Sequence, residues 1–199
     1  MSVDRAALRR ELRSRRRALT AGDRIAAAER LSTHLLALPF APSSGYVAGY
    51  WAMDAEIALH VWQLNLPEGC IYCLPVLADD RLRFAAWRPG DPLVTNRYGI
   101  PEPDVAPASL LDAHDMALVV APLVGFDIRG NRLGMGAGWY DRSFALRQQH
   151  SAPPWLVGAA FEVQRLEHVD AAAWDVMLDA ICTEATTYDC LAARSAGPA

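Results

Sequence analysis

Six short apolar stretches, at 46–51, 70–77, 82–87, 116–123, 155–160 and 180–183, are each bounded by turn residues, and helical patterns separate several of them. In Ala117-Leu118-Val119-Val120 consecutive apolar side chains alternate across a strand, so both of its faces must be covered. Such a strand belongs in a sheet with helices on each side. The expectation is an α/β fold: a single-domain layered sandwich with a mostly parallel central sheet covered by helices on both faces.

Two helices precede the first strand. Leu8, Leu12 and Leu19 share one helical stripe over 4–19, with Ser2 or Asp4 as its cap. Thr20 and Asp23 have capping-box spacing, and Ile25, Leu31, Leu35 and Leu36 carry a second helix that ends before Pro39. A third helical run is expected from Ile57, and another over 143–149. Residues 88–108, rich in Pro, Gly and Asp without a period, read as a long surface loop. With 199 residues, 52% of them hydrophobic, one core is affordable, so the domain is expected over 1–192 with a flexible tail over 193–199.

Every one of the 19 basic residues is arginine, which excludes a Schiff-base lysine and the lysine of a Walker A loop. Anion binding must rely on guanidinium groups and backbone amides. The net charge of −4 supplies no global positive field for nucleic acid or an anionic membrane. Four scattered cysteines, at 70, 73, 182 and 190, fit a reducing cytoplasm better than a disulfide framework. Cys70-Ile71-Tyr72-Cys73 has redox spacing but lies within an apolar strand, so both thiols read as buried filler. The five histidines are isolated and lack zinc-site spacing. With no signal-like or membrane-spanning stretch, a cytoplasmic monomer is expected, acting on small molecules without nucleic-acid or membrane partners.

The most informative segment, Gly130-Asn131-Arg132-Leu133-Gly134-Met135-Gly136-Ala137-Gly138-Trp139-Tyr140-Asp141, follows an apolar strand and opens a helical pattern. Glycines at 134, 136 and 138 remove the Cβ atoms that would hold a ligand off the backbone, so successive amides can face one phosphate. The glycines alone are equally compatible with a tight turn. Asp141, in the first helical turn, would repel that phosphate unless a cation such as Mg²⁺ lay between; on its own it could equally complement the helix dipole. Arg5 and Arg9, one turn apart at the border of the leucine stripe, can grip one anion. Arg10, Arg13 and Arg17 read as a solvated face. Tyr50-Trp51-Ala52-Met53-Asp54-Ala55-Glu56 reads as a strand end that lines a pocket for a flat, hydrogen-bonding ring. Singly, Trp51 could be core and Glu56 a helix-terminal carboxylate.

Together these residues resemble the 5-formyltetrahydrofolate cyclo-ligase family, also called methenyltetrahydrofolate synthetase, along nearly the whole chain. The most specific matches are Pro122-Leu123-Val124-Gly125-Phe126-Asp127, Gly130 to Gly134, and Gly138-Trp139-Tyr140-Asp141. Arg5-Ala6-Ala7-Leu8-Arg9, Met53 to Glu56, Tyr98-Gly99-Ile100-Pro101-Glu102-Pro103, Trp174-Asp175, Leu178-Asp179 and Thr183-Glu184 support them. The resemblance implies that ATP, as co-substrate, meets Arg5, Arg9, Arg132, Leu133, Gly134, Met135, Gly136, Ala137, Gly138, Trp139 and Tyr140. It implies Asp141 and Asp175 as Mg²⁺ ligands, although Asp175 alone reads as a turn residue. The reduced folate is implied to lie against Arg9, Trp51, Glu56, Tyr98, Met135, Gly136, Ala137, Gly138 and Trp139, with Arg132 and Tyr140 in catalytic roles. The implied reaction is cyclisation of 5-formyltetrahydrofolate to 5,10-methenyltetrahydrofolate through a phosphorylated formyl group, with release of ADP and phosphate. Met135 and Ala137 stand where a family member carries Arg or Lys. That departure keeps a second reading open, a folate- or nucleotide-binding member without turnover. A third reading, an RNA-binding arginine helix over 9–17, is disfavoured by the net negative charge and the lack of interleaved aromatics.

Overall fold

In the computed structural model, which describes residues 4–196, the apolar runs become strands of one sheet. Helices α1 (Arg5–Arg17) and α2 (Ala21–Leu36) come first, followed by β1 (Ser44–Ala48), the short helix α3 (His60–Leu64), β2 (Gly69–Ala78) and β3 (Arg81–Ala86). A small hairpin of β4 (Leu93–Thr95) and β5 (Pro101–Pro103) precedes β6 (Met116–Pro122). Then come a two-stranded ribbon, β7 (Gly125–Phe126) with β8 (Arg132–Leu133), and helix α4 (Trp139–Ser143). Strands β9 (Trp155–Ala159), β10 (Ala180–Cys182) and β11 (Thr187–Asp189) and helix α5 (Cys190–Ser195) complete the chain.

The sheet runs β11-β10-β9-β6-β1-β2-β3. Neighbours among β10, β9, β6, β1 and β2 are parallel, and an antiparallel strand closes each edge. The mostly parallel α/β sheet read from the apolar runs is the one observed. Register explains the two-sided burial. Val47 pairs with Leu118 and Val120 with Val157, and these four join Leu31, Leu35 and Trp62 in the cluster beneath α2 and α3. One residue along, Ala48, Val119 and Leu156 pair across the same strands and join Phe84, Phe126, Phe144 and Cys190 on the opposite face. Removing each large side chain from water stabilises the fold by roughly 1.5–3 kcal/mol.

Helix α1 lies outside these two layers. It buries Leu12 with Val124, Leu133 and Val169 in a third, smaller cluster, bordered by Leu8 and Leu166. That seat sets its arginines against the segment after β8. Asp4 caps the helix, its Oδ1 accepting from the Ala6 and Ala7 amides at 2.9 and 3.1 Å, while Ser2 lies outside the described residues. The Thr20–Asp23 capping box forms as the spacing predicts.

Four local expectations are corrected. Helix α3 begins at His60 rather than Ile57, because the Ile57 carbonyl is taken by the Tyr50 hydroxyl rather than by a helical amide, after a turn at Asp54 and Ala55 with left-handed φ values of 49° and 59°. The loop over 88–108 contains the β4–β5 hairpin, anchored where Glu102 Oε1 accepts from the Leu77 amide and from Asn96 Nδ2. The helical pattern at 143–149 divides into α4, which starts earlier, and a 3-10 turn at Ala145–Gln148. Residues 193–195, read as tail, belong to α5, where Arg194 donates to the Leu178 carbonyl at 2.8 Å; residues 197–199 lie outside the described residues. Among the described residues no helix is long and apolar enough to cross a membrane.

Candidate active site

Leu133 is buried at the end of β8, after which Met135, Gly136 and Ala137 run exposed along the surface. Gly136 and Gly138 have φ of 103° and 67°, values costly for any side chain. Arg9 crosses this loop. Its Nε donates to the Gly134 carbonyl at 2.8 Å, and its Nη2 lies 3.5 Å from where a Cβ on Gly136 would stand. No atom lies within 4 Å of the Cβ position at Gly134, so the backbone there faces open space. Arg13, expected to be solvated, instead reaches Met135, with Nη2 2.9 Å from Sδ. Helix α4 has only five residues, so loop amides rather than a long helix dipole must hold any anion here.

Arg132 and Asp141, assigned separately in the sequence, are paired. The Arg132 guanidinium is buried, donates to the Val176 carbonyl through Nη1, and reaches Asp141 Oδ1 through Nη2 at 2.5 Å. The Val176 amide also donates to Asp141 Oδ1, at 3.1 Å. Arg132 therefore points at Asp141 rather than out of the loop. Asp175, next to Val176, accepts from the Ala172 amide at 2.9 Å as a turn residue does, and its Oδ2 lies 3.8 Å from Arg5. Oδ2 of Asp141 and Oδ1 of Asp175 carry no hydrogen bond among the described residues. Burial holds the Tyr140 phenol protonated far above its ordinary range; the Glu56 charge adds to this and Arg132 opposes it.

The 50–56 segment is held from two sides. Tyr50 donates its hydroxyl to the Ile57 carbonyl at 2.7 Å, and Glu56 Oε2 accepts from the Met53 amide at 3.0 Å. Helix α1 grips Asp54: Arg16 Nη2 donates to its carbonyl at 2.7 Å and to Oδ2 at 3.2 Å, and Arg17 Nε to Oδ1 at 2.6 Å. Burial pushes the Glu56 carboxyl above its usual range; the Met53 amide, Arg16 and Arg13 pull it back, and Asp54 adds to the rise. Trp51 packs edge-on against Trp87 at 5.7 Å. Tyr98 meets Trp139 edge-on at 6.3 Å, with the Arg97 guanidinium over both rings.

Two concavities lie near these groups. One of about 300 Å³ is lined by Leu77, Asp79, Asn96, Arg97 and Glu102, and one of about 830 Å³ includes Asp175, Val176, Arg147, Trp155 and Arg194. The glycine loop lines neither. Its exposed residues 135–137 lead directly into Trp139, which meets Tyr98, and Asp141.

Two residues have roles that the sequence did not assign. Arg16 is fully buried, and its signal was present, since Leu8, Leu12 and Arg16 continue one four-residue spacing. Asp127, also buried, accepts from the Arg129 and Asn131 amides, Asn131 Nδ2 and the Val169 amide, shaping the turn between β7 and β8 that leads to the glycines.

Comparison with known proteins bears on this arrangement. The sequence model of the 5-formyltetrahydrofolate cyclo-ligase family matches residues 1–184. The chain is 34% identical over 176 residues to the 5-formyltetrahydrofolate cyclo-ligase of Haemophilus influenzae, covering 86% of this chain and 92% of that protein. It is 34% identical over 188 residues to the Escherichia coli K12 protein of the same name, covering 89% and 99%. The solved structure of Aquifex aeolicus 5,10-methenyltetrahydrofolate synthetase superposes with a TM-score of 0.78 at 26% identity, over 94% of this chain and 92% of that one. A Mycoplasma pneumoniae 5,10-methenyltetrahydrofolate synthetase shares the fold, with a TM-score of 0.69 at 22% identity over 92% and 99% of the two chains.

Proposed function

The chain belongs to the 5-formyltetrahydrofolate cyclo-ligase family, and from that premise we propose that it closes the ring of 5-formyltetrahydrofolate to 5,10-methenyltetrahydrofolate, converting ATP to ADP and phosphate. The oxygen of an N-formyl group is a poor leaving group. Attack of that oxygen on the γ-phosphorus, with ADP departing, makes it a good one; the neighbouring folate nitrogen then bonds to the activated carbon and loses its proton as phosphate leaves. Most of the work is charge management and alignment.

The observation that carries this reading is the hydrogen bond from Arg9 to the Gly134 carbonyl, which brings a cation from α1 onto the exposed glycine loop more than a hundred residues away. Arg5, one turn earlier on α1, faces Asp175 at 3.8 Å. Arg9 and Arg13 also supply the positive charge that Met135 and Ala137 do not, which weakens the reading of a binding protein without turnover. Arg132 orients Asp141, and Tyr140, kept as a phenol, is a hydrogen-bond donor beside them. The free carboxylate oxygens of Asp141 and Asp175 suit Mg²⁺, which takes one or two carboxylates and fills its shell with phosphate oxygens and water. When bound, the ion supplies charge neutralisation on the phosphates. Glu56, Trp51, Tyr98 and Trp139 are the groups proposed to meet the folate. One domain, acting as a cytoplasmic monomer, is proposed to carry the whole reaction.

The test mixes purified protein, Mg·ATP and 5-formyltetrahydrofolate and follows methenyl absorbance and ADP together. The two should rise one to one, and neither should rise when Mg²⁺ is chelated. Saturable folate binding with no turnover would support the binding-protein reading instead.

A further inference from the structure

We infer that Arg16 is a positioning residue, whose buried guanidinium holds residues 53–56 in a strained turn and thereby presents the Glu56 carboxylate to the folate. The inference rests on the proposal that Glu56 meets that substrate.

Arg16 occupies a place on α1 where the apolar stripe calls for a leucine, and its side chain is 1% exposed. A charge so buried is retained only where something compensates it. Only Nη2 is fully used, on the carbonyl and carboxylate of Asp54. Nε and Nη1 are buried without a hydrogen-bond partner, and Nη1 faces Glu56 Oε1 at 3.8 Å. The guanidinium thus sits beneath the segment with one edge gripping Asp54 and another turned toward Glu56. Asp54 and Ala55 are consecutive non-glycine residues at positive φ, a conformation that persists only when its surroundings enforce it and that clusters at ligand sites. Arg16 binds the backbone of that turn directly. Glu56 is itself half-committed: Oε2 closes the turn on the Met53 amide, and Oε1 faces Arg16 without a hydrogen bond among the described residues. Loss of the guanidinium would free the turn and remove the nearest opposite charge from a buried carboxylate.

The experiment compares wild type, Arg16→Met, Arg16→Lys, Glu56→Gln and Arg16→Met/Glu56→Gln, with Arg15→Met as an exposed control on the same helix. Melting temperatures establish which variants fold. Steady-state assays give kcat and the KM of each substrate, and quenching of tryptophan fluorescence by 5-formyltetrahydrofolate without ATP gives its Kd. Arg16→Met should raise the folate KM and Kd by about tenfold or more, a loss the size of a charge-assisted hydrogen bond, while the ATP KM changes by less than about threefold. Arg16→Lys should recover part of the loss. In the Glu56→Gln background, Arg16→Met should add less than about threefold, because the two residues act as one unit. A folded Arg16→Met with wild-type folate Kd overturns the inference, as do equal effects in both backgrounds. Where Arg16→Met does not fold, Arg16→Lys and Asp54→Asn decide in its place, and wild-type folate affinity in both overturns it. Absence of wild-type turnover overturns the proposed reaction instead, and the fluorescence Kd still reads the effect of Arg16.

Discussion

Val119 in β6 pairs with Ala48 on one side and Leu156 on the other, and all three side chains enter one apolar cluster. Arg16 is as deeply buried as Val119, yet two of its three guanidinium nitrogens have no hydrogen-bond partner, and its neighbours are a strained turn and a carboxylate. At the centre of the sheet, in β6, local preference agrees with the global fold. Along the seam between α1 and the loops at 53–56 and 134–138, local preference is overruled repeatedly: an arginine in a leucine stripe, left-handed non-glycine residues, a backbone open to solvent. Such conflict is expected where a site is built rather than a core. Damage to the sheet should therefore appear as lost stability, and damage to the seam as lost function in a protein that still folds.

The largest effect that would sharpen this contrast is expected from Asp141→Asn, which keeps an acceptor for Arg132 and Val176 but removes the carboxylate charge. Turnover should fall by about 100- to 1000-fold, with the melting temperature nearly unchanged. Unfolding in place of inactivity would erase the distinction between seam and core. Leu118→Ala should do the reverse. It should lower unfolding free energy by about 2–5 kcal/mol in a denaturant titration while leaving the folate KM within about twofold.

A smaller effect concerns pH. Burial holds Glu56 above its ordinary range and Asp54 from its own turn adds to this, while the Met53 amide and Arg16 and Arg13 from α1 oppose it, with Tyr50 and Tyr140 close by. If its carboxylate binds the folate, the folate KM should rise several-fold as pH falls through that raised value, and the inflection should vanish in Glu56→Gln. Stability should respond with the opposite sign, because the native state takes up this proton more readily than the unfolded chain, so acidification through the raised value favours folding at this group. A folate KM flat over that range would remove the carboxylate from the site. The smallest effect belongs to the sheet and its flank: burial pushes the Cys73, Cys182 and Cys190 thiols up to about 12, so a mild thiol reagent should leave them unmodified in the native protein and label them on unfolding. Rapid native labelling of Cys73 would show the core to be open.

The same contrast decides what could be read from sequence. Leu118, Val119 and Val120 announce a strand because burial on both faces leaves an unbroken apolar run, and Thr20 with Asp23 announces a helix start because its hydrogen bonds are local. Gly136, Gly138, Arg9 and Asp141 were legible as a candidate site because glycine and arginine each imply a definite kind of contact. The pairing of Arg132 with Asp141 was not, since it depends on where Val176 returns to the loop. The turn at Asp54 and Ala55 was illegible because neither residue is glycine; α1 imposes its conformation from outside. Arg16 was missed because charge on an otherwise apolar stripe reads as a surface residue until its carboxylates are known.

The most direct test of the account follows backbone amide resonances as Mg²⁺ and a non-hydrolysable ATP analogue are added to the labelled protein. The amides of Gly134, Gly136, Gly138 and Trp139 should shift and saturate together, while those of Val119 and Val120 stay in place. Saturable shifts confined to the concavity around Arg147 and Trp155, with the glycine amides unmoved, would contradict it.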